Sequence, residues 1–177
     1  MHVVQANLLR APAGCAHADV LDRWHSVVDI AEITAAGGTR VTVVQASDRA
    51  GHVARNGIDY RFVELPGGPG APGRGRRLAA VLAGLDADLL HVQGLAFGAD
   101  AFAVARRMPR LPILCQDHAD RPPRWWRRPS WRRWYSAVSA VAFTAAEQAR
   151  PFVDAGVFDP RMPVFGIPES SSRFTPG

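Results

Sequence analysis

The 177-residue sequence contains no lysine; all 21 of its basic residues are arginine, set against 16 acidic ones for a net charge of +5. A cationic surface built only from guanidinium groups suits oxyanion recognition, because the planar fork binds phosphate and carboxylate in pairs. Arginine- and alanine-rich codon usage is the plainer account of it and the one preferred. Cysteine is scarce, with only Cys15 and Cys115. Two cysteines so far apart make no disulfide framework and share no metal-ligand spacing, so no metal centre is expected. Both are read as reduced thiols of a cytoplasmic protein. No window approaches the ~20 consecutive apolar residues that cross a bilayer. The segment before "PAGC" (12–15) carries Gln5, Asn7 and Arg10 and has no apolar core, so it is not read as a signal peptide. There is no internal repeat, and the one Gly/Pro-rich tract is the short stretch at 66–75.

What is present fits one globular domain with a core of its own: 47% of residues are hydrophobic and 21% charged. Short apolar runs at 2–6, 40–46, 59–65, 88–92, 112–116 and 163–167 read as strands, and 137–143 begins as a helix tail and ends as a strand. Between them lie segments with helical spacing or helix-former composition at 19–36, 76–85, 97–108 and 144–156. In the first helix, Asp19 marks the start, Gly37-Gly38 the end, and Trp24 falls on the apolar stripe. Strands alternating with helices, several of them continuously apolar, predict a doubly wound α/β domain with a mainly parallel sheet. In such a sheet the ligand crevice lies beyond the carboxyl ends of the strands. That directs attention to residues 7–14, 46–48, Gln93, Gly94, Asp117, His118 and Thr144.

"GPGAPG" (68–73) has the spacing of a dinucleotide fingerprint but follows the third strand instead of the first. Pro69 and Pro72 also remove backbone N–H groups that would cradle a phosphate. No P-loop is present. The loop at 7–17 sits in the correct turn for an anion site but has one glycine, Gly14; a phosphate site and a plain connection both fit it. His118 follows a buried strand, where an imidazole can donate to a sugar or phosphate, or can simply be a surface loop residue. His91 lies within a strand and reads as a core residue with a satisfied ring.

Residues 121–134 hold six arginines and four of the five tryptophans. Trp131, Trp134, Tyr135 and Val138 recur at helical spacing and should pack inward. Nothing regular buries Trp125 and Trp126, which stand among Arg124, Arg127 and Arg128. Exposed Trp with Arg suits a membrane interface or the rim of an acceptor site. Single-stranded nucleic acid needs several stacking aromatics along a groove. No second cluster exists, so nucleic acid is disfavoured.

Taken together, "RVTVVQA" (40–46), "DADLLHVQG" (86–94), "LPILCQDHAD" (111–120), "AVAFTAAEQARPFVDAG" (140–156) and "PVFGIPESSSRFTPG" (163–177) resemble the N-terminal domain of a GT-B glycosyltransferase, of the retaining nucleotide-sugar family numbered four. Gln93 stands where that family usually has a second histidine, "IPESSSRF" replaces the usual crossover motif, and the first loop lacks the usual Gly-Gly. The resemblance implies the Rossmann-like half of a GT-B fold over 1–165, with 166–177 starting the crossover to a donor-binding domain. The Glu-x7-Glu motif of that second domain is not in the sequence, so the chain is expected to be half an enzyme, inactive alone. In the complete enzyme a hexose would pass from a nucleotide-sugar to a sugar or lipid-linked acceptor with retention of configuration and no further cofactor. His118 would contact the transferred sugar, while the loop holding Gly14, with Gln93, Gly94, Asp117 and Thr144, would line the acceptor side. The competing expectation is a non-enzymatic basic module that binds an acidic surface through Arg121 to Arg133.

Overall fold

The computed structural model describes residues 1–117 and 121–167. Eight strands form one sheet: β1 (His2–Asn7), β2 (Arg40–Ser47), β3 (Gly51–Arg55), β4 (Ile58–Glu64), β5 (Leu89–Gln93), β6 (Ile113–Asp117), β7 (Ala140–Phe143) and β8 (Val164–Gly166). Their order is β3-β4-β2-β1-β5-β6-β7-β8, and every pairing is parallel except β3 with β4. The helices are α1 (His17–Arg23), α2 (His25–Ala36), α3 (Arg74–Leu82), α4 (Gly98–Ala105), α5 (Arg128–Tyr135) and α6 (Arg150–Asp154). The doubly wound, mainly parallel α/β architecture expected from the sequence is what is found. The chain winds outward from β1 through β2 to β4, then returns to β5 and winds the other way. Strand order therefore reverses between β1 and β5, which makes the gap above them the topological switch point.

The two faces of the sheet differ. Val4, Ala6, Val44, Ala46, Leu90, Val92, Ile113, Cys115, Val141 and Phe143 form an unbroken apolar layer under α3, α4, α5 and α6. The opposite face has a smaller cluster, in which Val41, Val43, Ile58, Tyr60 and Phe62 pack against Val20, Leu21, Val27, Val28 and Ala31 of α1 and α2. The aromatic stripe of α5 packs inward as its spacing predicts. Trp131 and Trp134 lie against the larger core, and Tyr135 is fully buried, its hydroxyl donating to the Leu95 carbonyl at 2.7 Å.

Three elements differ from the sequence expectation. The first helix is two helices, broken at Trp24 (φ −100°, ψ 67°). The apolar period runs on through the break, so the pattern alone does not reveal it. Residues 144–156 begin as a 3-10 turn (Ala146–Ala149) and become helical only at Arg150. The strand β3 was not anticipated. Asn56 (φ 51°) and Gly57 (φ 76°) make the two-residue turn that joins it to β4. Asn-Gly is the preferred pair for such a type I′ hairpin turn. Its polar flank, "GHVAR", hid the strand.

The two thiols lie in opposite environments. Cys115 is inaccessible in the centre of the sheet, and burial, with the Asp117 charge nearby, pushes its pKa up to about 12. Cys15 is partly exposed in the β1–α1 loop, beside Arg23. A thiol-titrating disulfide reagent at pH 8 should therefore modify one cysteine per native chain and two in denaturant. Rapid modification of both in the native protein would contradict this packing.

Candidate functional site

The apolar strands carry polar residues at every second position on the α2 face. Gln5 and Asn7 of β1, Gln45 of β2, His91 and Gln93 of β5, and Gln116 of β6 are in register across neighbouring strands. Strand residues two apart share a face, so these side chains form one row on the carboxyl half of the sheet. All but Gln93 are at least nine-tenths buried. Buried amides need partners, and several have them. Asn7 Nδ2 donates to Gln45 Oε1 at 2.7 Å, Gln45 Nε2 donates to the Leu9 carbonyl at 2.8 Å, and Gln5 Nε2 donates to the Val27 carbonyl at 3.2 Å. His91 Nε2 lies 3.2 Å from Gln93 Nε2. Burial lowers the His91 pKa to about 4, opposed by hydrogen bonding to Gln116, so the ring is neutral at physiological pH. His91 is thus a satisfied interior histidine, as its place in the strand suggested.

The row opens into a cleft of about 490 Å³ at the switch point. Gln5, Asn7 and Gln93 form its floor, and Trp24 with the first turn of α2 (His25, Ser26, Val27) forms its wall. The break between α1 and α2 is what brings Trp24 to this wall. Amide donors and acceptors beside an indole, with no nucleophile among the floor residues, form a surface for hydrogen-bonding and stacking on a polyhydroxylated ligand. No cluster of three or more His, Cys, Asp or Glu able to hold a metal occurs among the described residues.

Strand order puts most of the sequence-predicted positions in one line along the carboxyl edge. Asn7 pairs with Gln93, Gln93 with Gln116, and Asp117 with Phe143, directly before Thr144. Gly94 takes φ +98°, donates its N–H to the Gln116 carbonyl at 2.7 Å, and has the Phe97 ring where a Cβ would sit 3.1 Å away. Asp117 Oδ2 accepts the Leu95 N–H at 2.6 Å, which fixes the turn that carries Gly94. Thr144 is half-buried and bonded within the chain. Gly14 is exposed on the β2 side, with its N–H donated to Asp48 Oδ2 at 2.9 Å. That bond holds the Asp48 carboxyl below its usual pKa. His118 lies outside the described residues. Trp125 and Trp126 are 73% and 53% exposed in a 3-10 turn (Trp125–Arg127), set edge to face, with Arg124 over the Trp126 ring at 5.2 Å. Arg127 is exposed and Arg128 half-buried beside them, its Nε pointing to the Pro123 carbonyl at 3.4 Å.

Sequence reasoning missed Trp24, Gln5, Gln45 and Gln116 as site residues. Their signal was period-two polarity inside otherwise apolar strands. It also missed Arg74, which is 1% exposed and forms an ion pair with Asp100 at 3.2 Å, equally buried. Arg74 donates further to the carbonyls of Leu8 and of Gly67. Burial pushes the guanidinium pKa down and the Asp100 carboxyl pKa up, and each charge opposes the other's shift.

This is the architecture of the N-terminal domain of a GT-B glycosyltransferase: a Rossmann-like sheet with its crevice at the switch point, carrying the sequence segments noted above. The profile of Glycosyltransferase Family 4 matches residues 25–162, and the chain belongs to that family. Solved structures agree on the fold. A sucrose-phosphate synthase from Thermosynechococcus elongatus superposes with a TM-score of 0.63 at 13% identity, over 94% of this chain and 47% of its own. An α,α-trehalose 6-phosphate synthase from Burkholderia multivorans gives 0.56 at 14% identity, over 86% and 41%. A glycosyltransferase from Rickettsia africae gives 0.57 at 10% identity, over 92% and 42%. The chain thus spans less than half the length of each. No curated protein matches the sequence.

Removing either partner of the Arg74–Asp100 pair strands a charge in the interior. Arg74→Leu or Asp100→Leu alone should lower unfolding free energy by about 3–5 kcal/mol. The double variant should lose clearly less than the sum. Additive losses in denaturant titrations would show that the pair is not coupled.

Proposed function

We propose that the chain is the acceptor-binding half of a retaining hexosyltransferase that uses a nucleotide-sugar donor. The observation that carries the reading is the buried amide row opening into the switch-point cleft, within a chain of family four. In this reading the acceptor binds this half and the donor a second domain across the cleft, and attack from the face the nucleotide leaves gives retention. In this reading residues 1–165 are the domain and 166–177 lead into the crossover. Asn7, Gln93 and Trp24 orient the acceptor, Gly94 and Asp117 shape the rim beside it, and Thr144 closes the line. His118, directly after β6, contacts the transferred sugar. Catalysis needs both substrates in near-attack geometry, so the 177-residue chain by itself transfers no sugar.

Two measurements test this. Incubation of the purified chain with nucleotide-hexoses and a panel of sugar acceptors should give no transfer; product formation would overturn the half-enzyme reading. Saturation-transfer NMR with the same acceptors should show carbohydrate contact, weakened at least tenfold in Gln93→Ala and Trp24→Ala. Absence of any carbohydrate signal would remove the acceptor assignment.

The exposed Trp125–Trp126 pair supports peripheral contact with an anionic membrane, on its cytoplasmic face, which would suit a lipid-linked acceptor. No acidic residue occurs from Arg121 to Ala146. Each arginine near an anionic bilayer contributes about 1 kcal/mol, and interfacial tryptophan favours the headgroup layer. No helix among the described residues is long and apolar enough to cross a membrane. Co-sedimentation should show binding to phosphatidylserine-containing vesicles, little to neutral ones, and a loss on Trp125→Ala/Trp126→Ala. Equal binding to both vesicle types would sink the membrane reading. Salt-sensitive binding to single-stranded DNA that the double variant abolishes would favour the non-enzymatic alternative.

A further inference from the structure

The polar row of the sheet reaches the switch-point cleft through amides whose orientation is fixed from behind. Gln93 is the half-buried member of the row, beside the buried His91. An amide nitrogen can only donate, so across their 3.2 Å contact Gln93 Nε2 donates and His91 Nε2 accepts. The His91 ring is neutral, so its one proton sits on Nδ1. Gln116 lies two residues beyond the cross-strand partner of His91, on the same face. Its hydrogen bond to His91 favours the protonated ring, which makes the Gln116 carbonyl oxygen the acceptor of that Nδ1–H. The bonds therefore run in one sense, from Gln93 through His91 to Gln116, and leave the Gln93 carbonyl oxygen over. Turning the Gln93 amide around would set its oxygen against a bare ring nitrogen, acceptor to acceptor. Moving the ring proton to repair that contact would break the bond to Gln116.

A second chain of bonds does the same on β1. Gln45 Nε2 donates to the carbonyls of Leu9 and Ala46, both at 2.8 Å, which turns Gln45 Oε1 toward Asn7. Asn7 Nδ2 donates to that oxygen at 2.7 Å, so the Asn7 carbonyl oxygen is the branch left over. Gln5 has the same polarity, with Nε2 donating to the Val27 carbonyl at 3.2 Å. Asn7 and Gln93 are register partners on adjacent strands, and all three residues line the cleft. We propose that His91 and Gln116 are positioning residues that hold the Gln93 amide with its carbonyl oxygen toward the cleft, and that the resulting carbonyl-lined floor selects a neutral ligand by its hydroxyl hydrogens, as on a vicinal diol of a sugar ring. The locking stands on the hydrogen bonds alone. The choice of ligand rests on the acceptor reading above and narrows it.

The polarity of the floor decides the chemical class. A carboxylate, phosphate or ether oxygen placed there would meet carbonyl oxygens and leave both sides unpaired. An ammonium group could donate to the same oxygens, but Arg23 lines this cleft, and its charge opposes a second cation. A hydroxylated neutral ring meets neither penalty, and Trp24 on the wall offers it an apolar surface. Gln93 is also a position at which this sequence departs from the family pattern noted above.

The test is NMR on the 177-residue chain, in wild type and in Gln116→Met, which keeps the side-chain length and removes the acceptor; circular dichroism checks that the variant folds. Two-bond proton–nitrogen spectra read the tautomer. His91 should carry its proton on Nδ1 in wild type and divide between the two tautomers in Gln116→Met. A wild-type ring protonated on Nε2 would mean that Gln93 is turned oxygen inward; it would overturn the proposal and leave the acceptor reading untouched. An unchanged tautomer in the variant would overturn the role of Gln116. Titration with glucose, mannose and galactose, then with deoxyfluoro derivatives of whichever binds best, reads the selection, because fluorine is close to a hydroxyl in size and cannot donate. At least one derivative should bind about tenfold more weakly than its parent, and Gln116→Met should narrow that ratio. Parent and derivatives binding alike would overturn the selection and leave the carbohydrate reading standing. Binding of none of the three hexoses would overturn the choice of ligand together with the acceptor reading, while the tautomer would still decide the locking.

Discussion

The buried Arg74–Asp100 pair is the constraint on which the carboxyl edge depends. One guanidinium reaches the end of β1 through the Leu8 carbonyl, the loop before α3 through the Gly67 carbonyl, and α4 through Asp100. Asp100 in turn accepts the Gly70 N–H at 3.4 Å. Close approach of the two helices is a precondition. A Cβ on Gly75 would meet the Ala103 methyl at 2.4 Å and the Asp100 carbonyl at 3.1 Å, so a larger residue would push α3 off α4. Ion pairs of this kind add little net stability over a well-packed apolar substitute. Their effect is to make one loop arrangement much better than its competitors. Here that arrangement sets the position of α3 relative to α4 and the end of β1.

The two surfaces of the sheet differ in polarity. The face under α3 to α6 is continuously apolar, and burial there supplies most of the folding drive. The α2 face gives up part of that drive by placing amides and an imidazole along β1, β5 and β6. Those groups stay tolerable because they bond one another and the backbone, as Asn7 and Gln45 do. An interior row that is satisfied sideways is also rigid, so the atoms facing the cleft are held in place before any ligand arrives.

The architecture was legible because parallel strands buried on both faces are short apolar runs, and those runs stand out against the helical segments. The positions of Gln93, Gly94, Asp117 and Thr144 along one edge followed from that topology alone. Other features were hidden for physical reasons. Trp24 sits on the helical period, so nothing in the spacing shows that the backbone breaks there and turns the indole toward a cleft. Arg74 reads as one more arginine of a basic run, since burial of a charge is decided by a partner 26 residues away. The β3 hairpin was signalled by Asn56-Gly57, but its alternation of His52, Val53, Ala54 and Arg55 is too polar to stand out.

That hairpin has a consequence for the protein in crowded solution. A parallel sheet left open at β4 would present a flat row of unpaired amides and carbonyls to any other extended chain. The added antiparallel strand moves the open border outward onto residues that are poor templates. His52 lies against Asp59 at 2.5 Å, and Arg55 is tethered to Asp22 of α1 at 2.6 Å. A foreign strand docking there would have to displace charged side chains. At the other border β8 is only three residues long and directly follows Pro163. Both borders therefore discourage edge-to-edge polymerisation, one by charge and the other by brevity.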